Sequence, residues 1–146
     1  MRRWCRAAAA EDGSTLVLYP FAVLIVMALG GLALDFAVYF QAHRESVDAA
    51  AGLASDIAGI VDEAAFSTAG VARIDTARAQ VVLDLTNQDL AAHPYQLSCV
   101  AAVRPAAPDT VDVECRGQAS GILLPAIGLI GDMDLLGTAT ASARSG

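Results

Sequence analysis

The chain has 146 residues with a net charge of −7, and 55% of it is hydrophobic while only 17% is charged. So apolar a composition excludes a disordered chain and points to membrane association. The acidic balance, with the arginines beyond Arg44 scattered singly, excludes a nucleic-acid-binding surface, which needs clustered cations.

Leu16 to Leu34 carries no charged residue, and the apolar character resumes beyond Asp35 through Phe36 and Phe40. At about 1.5 Å per residue, a helix of this length spans the roughly 30 Å hydrocarbon core of a bilayer. Pro20 falls in its first turns, where a missing backbone donor costs least. Arg2, Arg3 and Arg6 precede the segment and only Arg44 follows closely, so the positive-inside rule predicts a cytoplasmic N-terminus. Asp35 stands near the outer end of the segment, within reach of water. The competing expectation is a cleaved leader, but the apolar stretch exceeds the roughly 7–15 residues of a signal core, and no small-x-small site precedes a polar start near Leu34.

From Gln41 to about Phe66 there is no proline, and Val47, Ala50, Ala51, Ala54, Ile57, Ala58, Val61, Ala64 and Ala65 recur at helical spacing. The membrane helix is therefore predicted to continue straight outward. Its shallow alanine-rich face either covers the domain's own sheet, the preferred reading, or meets a partner helix. Ser67 to Gly70 predicts a break, with Gly70 suited to the positive φ of a helix end. Asp75 or Thr76 caps a second helix to about Leu90, with Ala77, Val81, Val82 and Leu85 as its buried side and Pro94 barring extension.

Tyr95 to Arg104 and Thr110 to Gln118 read as a hairpin around Pro105–Asp109, the second run alternating as Val111, Asp112, Val113, Glu114, Cys115. If Arg104 pairs with Thr110, then Val103 faces Val111, Ala101 faces Val113, and Cys99 falls opposite Cys115. In an oxidising compartment that pair forms a disulfide, with a loop-closure effect of about 3 kcal/mol; the alternative is two buried thiols. The glycines and Pro125 between Ala119 and Leu136 argue against a second spanning helix, leaving a loop into a final strand at about Gly137 to Ala143. Ile122, Leu123 and Leu124 are free, on this reading, to dip into the membrane surface or pack on the long helix.

No phosphate loop, GxSxG elbow or HExxH helix occurs, and His43 and His93 lack companion ligands, so neither catalysis, a metal site nor a cofactor is predicted. His93, near Asp89 and Ser98, reads as a solvent-exposed histidine before a turn.

Three stretches resemble the TadE/TadG-like proteins of tight-adherence, or Flp-type, pilus and secretion systems: Asp12-Gly13-Ser14-Thr15 before the apolar segment, Leu34-Asp35-Phe36 at its end, and Ser46 to Ser55 beyond it. The likeness is firmest over Asp12 to Ser55. It implies a minor-pilin-like or accessory component of an envelope-spanning machine, a candidate processing site at Gly13 and Ser14, and a helix that meets other membrane proteins through the stretches containing Asp35, Phe36, Asp48 and Leu53. Prepilin-like members carry a glutamate five residues after the glycine, where this chain has Leu18. That departure favours an assembly or anchoring role over that of a major pilin.

The expected fold is α+β: a transmembrane helix continuing into a long pilin-like helix, then a second helix and a small antiparallel β region. The expected organisation is a cytoplasmic tail over 1–14, a membrane helix over 15–40 and an extracytoplasmic domain over 41–146. The expected partners are membrane lipid and other pilus or secretion-system membrane proteins. The alternative function is a secreted soluble binding module freed from its leader.

Overall fold

The structure, a computed structural model, describes residues 12–121, 128 and 132–143, with side chains from Leu18 onward. Helix α1 (Asp12–Ala58) runs without interruption through Pro20. Along its first half every side chain from Leu18 to Gly30 is exposed. Along its second half Ala42, Ser46, Ala50, Leu53, Ala54, Ile57 and Ala58 are buried at helical spacing, so one helix is bare at one end and core at the other.

The helix does not reach Phe66 as the apolar periodicity predicts. It stops at Ala58, and Asp62 takes an extended conformation in which its side chain accepts from the Ala64 and Ala65 amides, capping a separate helix α2 (Glu63–Ala69). The intervening chain pairs instead with the strand-like stretch at Ile74: Asp62 N–H donates to the Arg73 carbonyl, Asp75 N–H to the Ile60 carbonyl, and Ile74 is buried. A cap and two backbone bonds to the Arg73–Asp75 stretch thus outcompete continuation of the helix. Ser67, Thr68 and Ala69 remain helical, and Gly70 ends α2 at φ 66°, a conformation that favours glycine.

Asp75 caps helix α3 (Thr76–Ala91) through the Ala77 and Arg78 amides. Its buried side is Ala79 and Leu83, with Val82 and Leu90 packed alongside. The predicted face is corrected here, since Val81 and Leu85 are 59% and 58% exposed and Ala77 is exposed too. The helix carries two apolar stripes, and the one that meets strand β1 (Ser98–Arg104) and helix α1 is the one that is buried.

The sheet has three antiparallel strands in the order β1 (Ser98–Arg104), β2 (Ala107–Ala119), β3 (Met133–Ser142). Val103 faces Val111, Ala101 faces Val113 and Cys99 faces Cys115, as the alternation predicts. At the turn the register shifts, and Arg104 pairs with Ala107, not Thr110. The final strand begins at Met133, four residues before the expected Gly137, and pairs along β2 without a shift. The expectation for Ile122, Leu123 and Leu124 lies outside the described residues.

Odd-numbered residues form the inner face of the sheet. Val111, Val113, Cys115 and Ala119 of β2, with Cys99 and Leu135, are buried beneath α1 and α3. Gly137 lies at a close crossing of β3 and α1, where a Cβ would stand 2.8 Å from the Val47 backbone nitrogen. Only glycine lets strand and helix approach so near.

Candidate functional site

Chemistry-bearing side chains are few, and the features that bear on function are the bare half of α1, its junction with the folded domain, and the edges of the sheet. The bare half is long and apolar enough to cross a membrane. Among its exposed residues are Phe21, Leu24, Ile25, Met27 and Leu29, side chains that a soluble surface would not gather on every face of one helix.

Asp35 begins the junction, and here the sequence reading is corrected. The side chain does not reach out to water but is fully buried, with the backbone of Gly121 seated on it: a Cβ at that glycine would be 3.1 Å from the Asp35 carboxyl carbon. The chain leaving β2 covers this point of α1, which no local pattern around Asp35 foretells. The neighbouring candidates part company. Phe36 is 56% exposed, continuing the bare apolar surface, and Asp48 is exposed beside Arg44 at 3.8 Å. Leu53 lies in this chain's own core with Ile57 and Val113, so the alanine-rich stripe around it covers the domain's own sheet. Gly13 and Ser14 fall at the start of α1, and their side chains lie outside the described residues.

Cys99 and Cys115 form a disulfide across β1 and β2, their Cα atoms 4.0 Å apart. Asn87 of α3, which the sequence reading passed over, completes the arrangement. Its amide nitrogen donates to the Cys99 carbonyl at 2.9 Å and its oxygen accepts from the Cys99 N–H at 2.7 Å. Both outward backbone groups of Cys99 are thereby satisfied by one side chain that imitates a neighbouring strand. An Asn on the side of α3 one turn past Leu83 was the available signal.

On the outer face Arg104 grips Asp112 with two hydrogen bonds of 2.6 and 2.8 Å, and the Thr140 hydroxyl donates to the same carboxylate at 2.6 Å. The hydrogen bonds from Arg104 and Thr140 hold the Asp112 carboxyl below its usual range, and the same pairing raises the Arg104 guanidinium above its own. The group ties the three strands together at the hairpin end and faces solvent.

His93 is not isolated in the loop after α3: its Nε2 stands 3.6 Å from Glu45 Oε2 on α1, and its ring lies against Tyr95. His43 stacks on Tyr39 one turn earlier in α1. Among the described residues no cluster of three or more His, Cys, Asp or Glu is placed to hold a metal ion.

Comparison with known protein families, with curated proteins and with solved structures finds no match to this chain.

Proposed function

We propose that the protein is a non-enzymatic, single-pass membrane component of an envelope assembly, a minor-pilin-like or accessory factor of the TadE/TadG-like kind. Its helix acts as the anchor, and its α+β domain works outside the cytoplasm by binding other proteins. The observation that carries this reading is the change of surroundings along one unbroken helix, exposed and apolar all round from Leu18 and with one face buried against the rest of the domain from Asp35 onward. A helix built in this way couples the folded domain to the bilayer with no flexible linker. Arg2, Arg3 and Arg6 before the span support a cytoplasmic N-terminus, and the cystine at Cys99 and Cys115 suits an oxidising exterior. The likeness of the stretches around Gly13, Asp35 and Ser46–Ser55 to that family supports the assembly role.

The test is expression of the full chain in a GC-rich Gram-positive host, followed by membrane fractionation, protease protection and intact mass. A full-length, membrane-retained chain with its domain accessible from outside, which brings other envelope proteins with it under mild detergent, supports the reading. Release of a product lacking the whole apolar segment would replace it with the secreted module. Loss of about the first thirteen residues would favour filament entry despite Leu18.

A further inference from the structure

The two edges of the sheet are treated differently. Asn87 takes both outward backbone groups of Cys99, so Cys99 and every second residue of β1 point away from β2. It follows from the register that the odd residues of β2 bond to β3 and that Leu135, Gly137, Ala139 and Ala141 spend their backbone groups on that ladder. The even residues Leu136, Thr138, Thr140 and Ser142 therefore direct N–H and C=O groups out of the sheet. The bond from Ala143 N–H to the Asp109 carbonyl continues the same parity. No described residue pairs with this outer edge.

β3 also lacks the usual protections of an edge. Asp134 near its start is its one charged residue; beyond it the strand has no charge, no proline and no register shift, and its side chains past Leu136 are small. Beside it, α1 reaches past the strand: Gly137 lies under the Ser46–Val47 backbone, Val47 is still 37% exposed, and Ala51 one turn on is exposed. Where helix and strand end together, Ser55, Ala58, Gly59, Ala141 and Ser142 line an open hollow of about 540 Å³.

The geometry points to β3 as a docking edge for one extended β-strand from a different protein, which adds as a fourth strand and rests its inward side chains on Val47, Ala51 and the hollow. Backbone donors and acceptors along an edge specify a strand, and the narrow shelf of small residues beside them, apolar at Val47 and Ala51 and mixed at the hollow, specifies small side chains at alternate positions of the incoming segment.

A second copy of this chain does not fit. β3 runs along α1, with Gly137 beside Ser46 and Ala141 and Ser142 beside Ser55 and Ala58. Two copies anchored side by side therefore present parallel β3 strands, and a two-fold axis between identical parallel strands cannot give the one-residue offset that a parallel ladder needs. Pairing β3 of one copy with β1 of the next is blocked by α3 and Asn87. The side-by-side argument rests on the anchor reading above; the open edge does not.

The experiment places a photo-crosslinking phenylalanine analogue at Thr138 in the full chain, in its native envelope, and compares Thr140→Pro with Thr140→Val. Both remove the hydroxyl bond to Asp112, but only proline removes the outward N–H, leaving the ladder to β2 intact. The expected result is a crosslink to another protein whose yield falls roughly tenfold with Thr140→Pro and is kept with Thr140→Val. Equal resistance of the two variants' domains to limited proteolysis establishes that both fold. Equal yields from the two variants, no crosslink at all, or a product of twice the chain's own mass would each overturn the proposal. A proline-sensitive crosslink to another protein from a chain that fractionates as soluble would sink the anchor reading and leave strand addition standing.

Discussion

Asn87 holds Cys99 by both of its backbone edge groups, the N–H at 2.7 Å and the carbonyl at 2.9 Å, so a single helix side chain closes one edge of the sheet over the disulfide. The bond pair joins α3 to β1 at the residue that is covalently tied to β2, and from β2 the ladder continues to β3. Asn87 replaced by leucine, similar in shape and without polar atoms, leaves a part-buried donor and acceptor unpaired. The expected loss is about 1–3 kcal/mol, read from urea denaturation of the oxidised protein. A change within experimental error would show that water serves Cys99 as well as Asn87 does.

The cystine closes a loop with a sequence separation of 16. Replacing Cys99 and Cys115 together by alanine is expected to cost about 2–4 kcal/mol of stability. Thiol alkylation of the unfolded, unreduced chain should label Cys5 alone, and all three cysteines after reduction. Labelling of Cys99 or Cys115 before reduction would contradict the pairing.

Gly137→Ala forces a methyl group against the Ser46–Val47 backbone, which cannot rotate away as a side chain would. A loss of about 1–3 kcal/mol is expected in chemical denaturation. Gly52→Ala is the contrasting variant, because a Cβ there meets nothing within 4 Å and the position is inside a helix. It should stabilise by about 0.5–1 kcal/mol.

Asp112 supplies a pH dependence whose sign is fixed by its partners. Its carboxyl titrates lower in the folded chain than in the unfolded one, because Arg104 and Thr140 hydrogen-bond the charged form. The contribution is therefore present above the ordinary carboxyl value of about 4 and is lost as pH falls through the lower folded value. Arg104 stays protonated throughout. Denaturation midpoints of the wild type and of Asp112→Asn should differ most near neutrality and converge in acid. Parallel curves across that range would remove Asp112 from the acid response.

Local chemistry made part of this fold legible. Asp75 as a cap, Gly70 at a helix end and the alternation around Val111 and Val113 each act within a turn or across one hairpin, and each stands where the residues indicate. The cysteine pairing followed from that alternation even though the turn itself differs: the register shift beside Arg104 changes the pairing at the turn while Val103 still faces Val111. Asp62 was harder, because an alanine-rich period runs straight through it, and its capping role depends on Ile60 and Val61 having Ile74 to pair with.

The candidate site was legible as a long apolar helix and less so as a surface. Leu53 belongs to a stretch whose sequence leads to the expectation of a partner contact, yet the sheet of this same chain covers it. On α3, Val81 and Leu85 are as apolar as Leu83, and only the position of β1 selects between the stripes.

By itself the sequence determined the apolar span, the helix caps, the strand alternation and the facing cysteines, because these depend on residues a few positions apart or joined by a short turn. Tertiary structure alone decided that Gly121 buries Asp35, that Gly137 lets β3 cross α1 closely, and that Asn87 seals one edge of the sheet while no described residue pairs with the other. Those outcomes depend on segments far apart in the chain arriving at the same place, and burial belongs to the place where they meet.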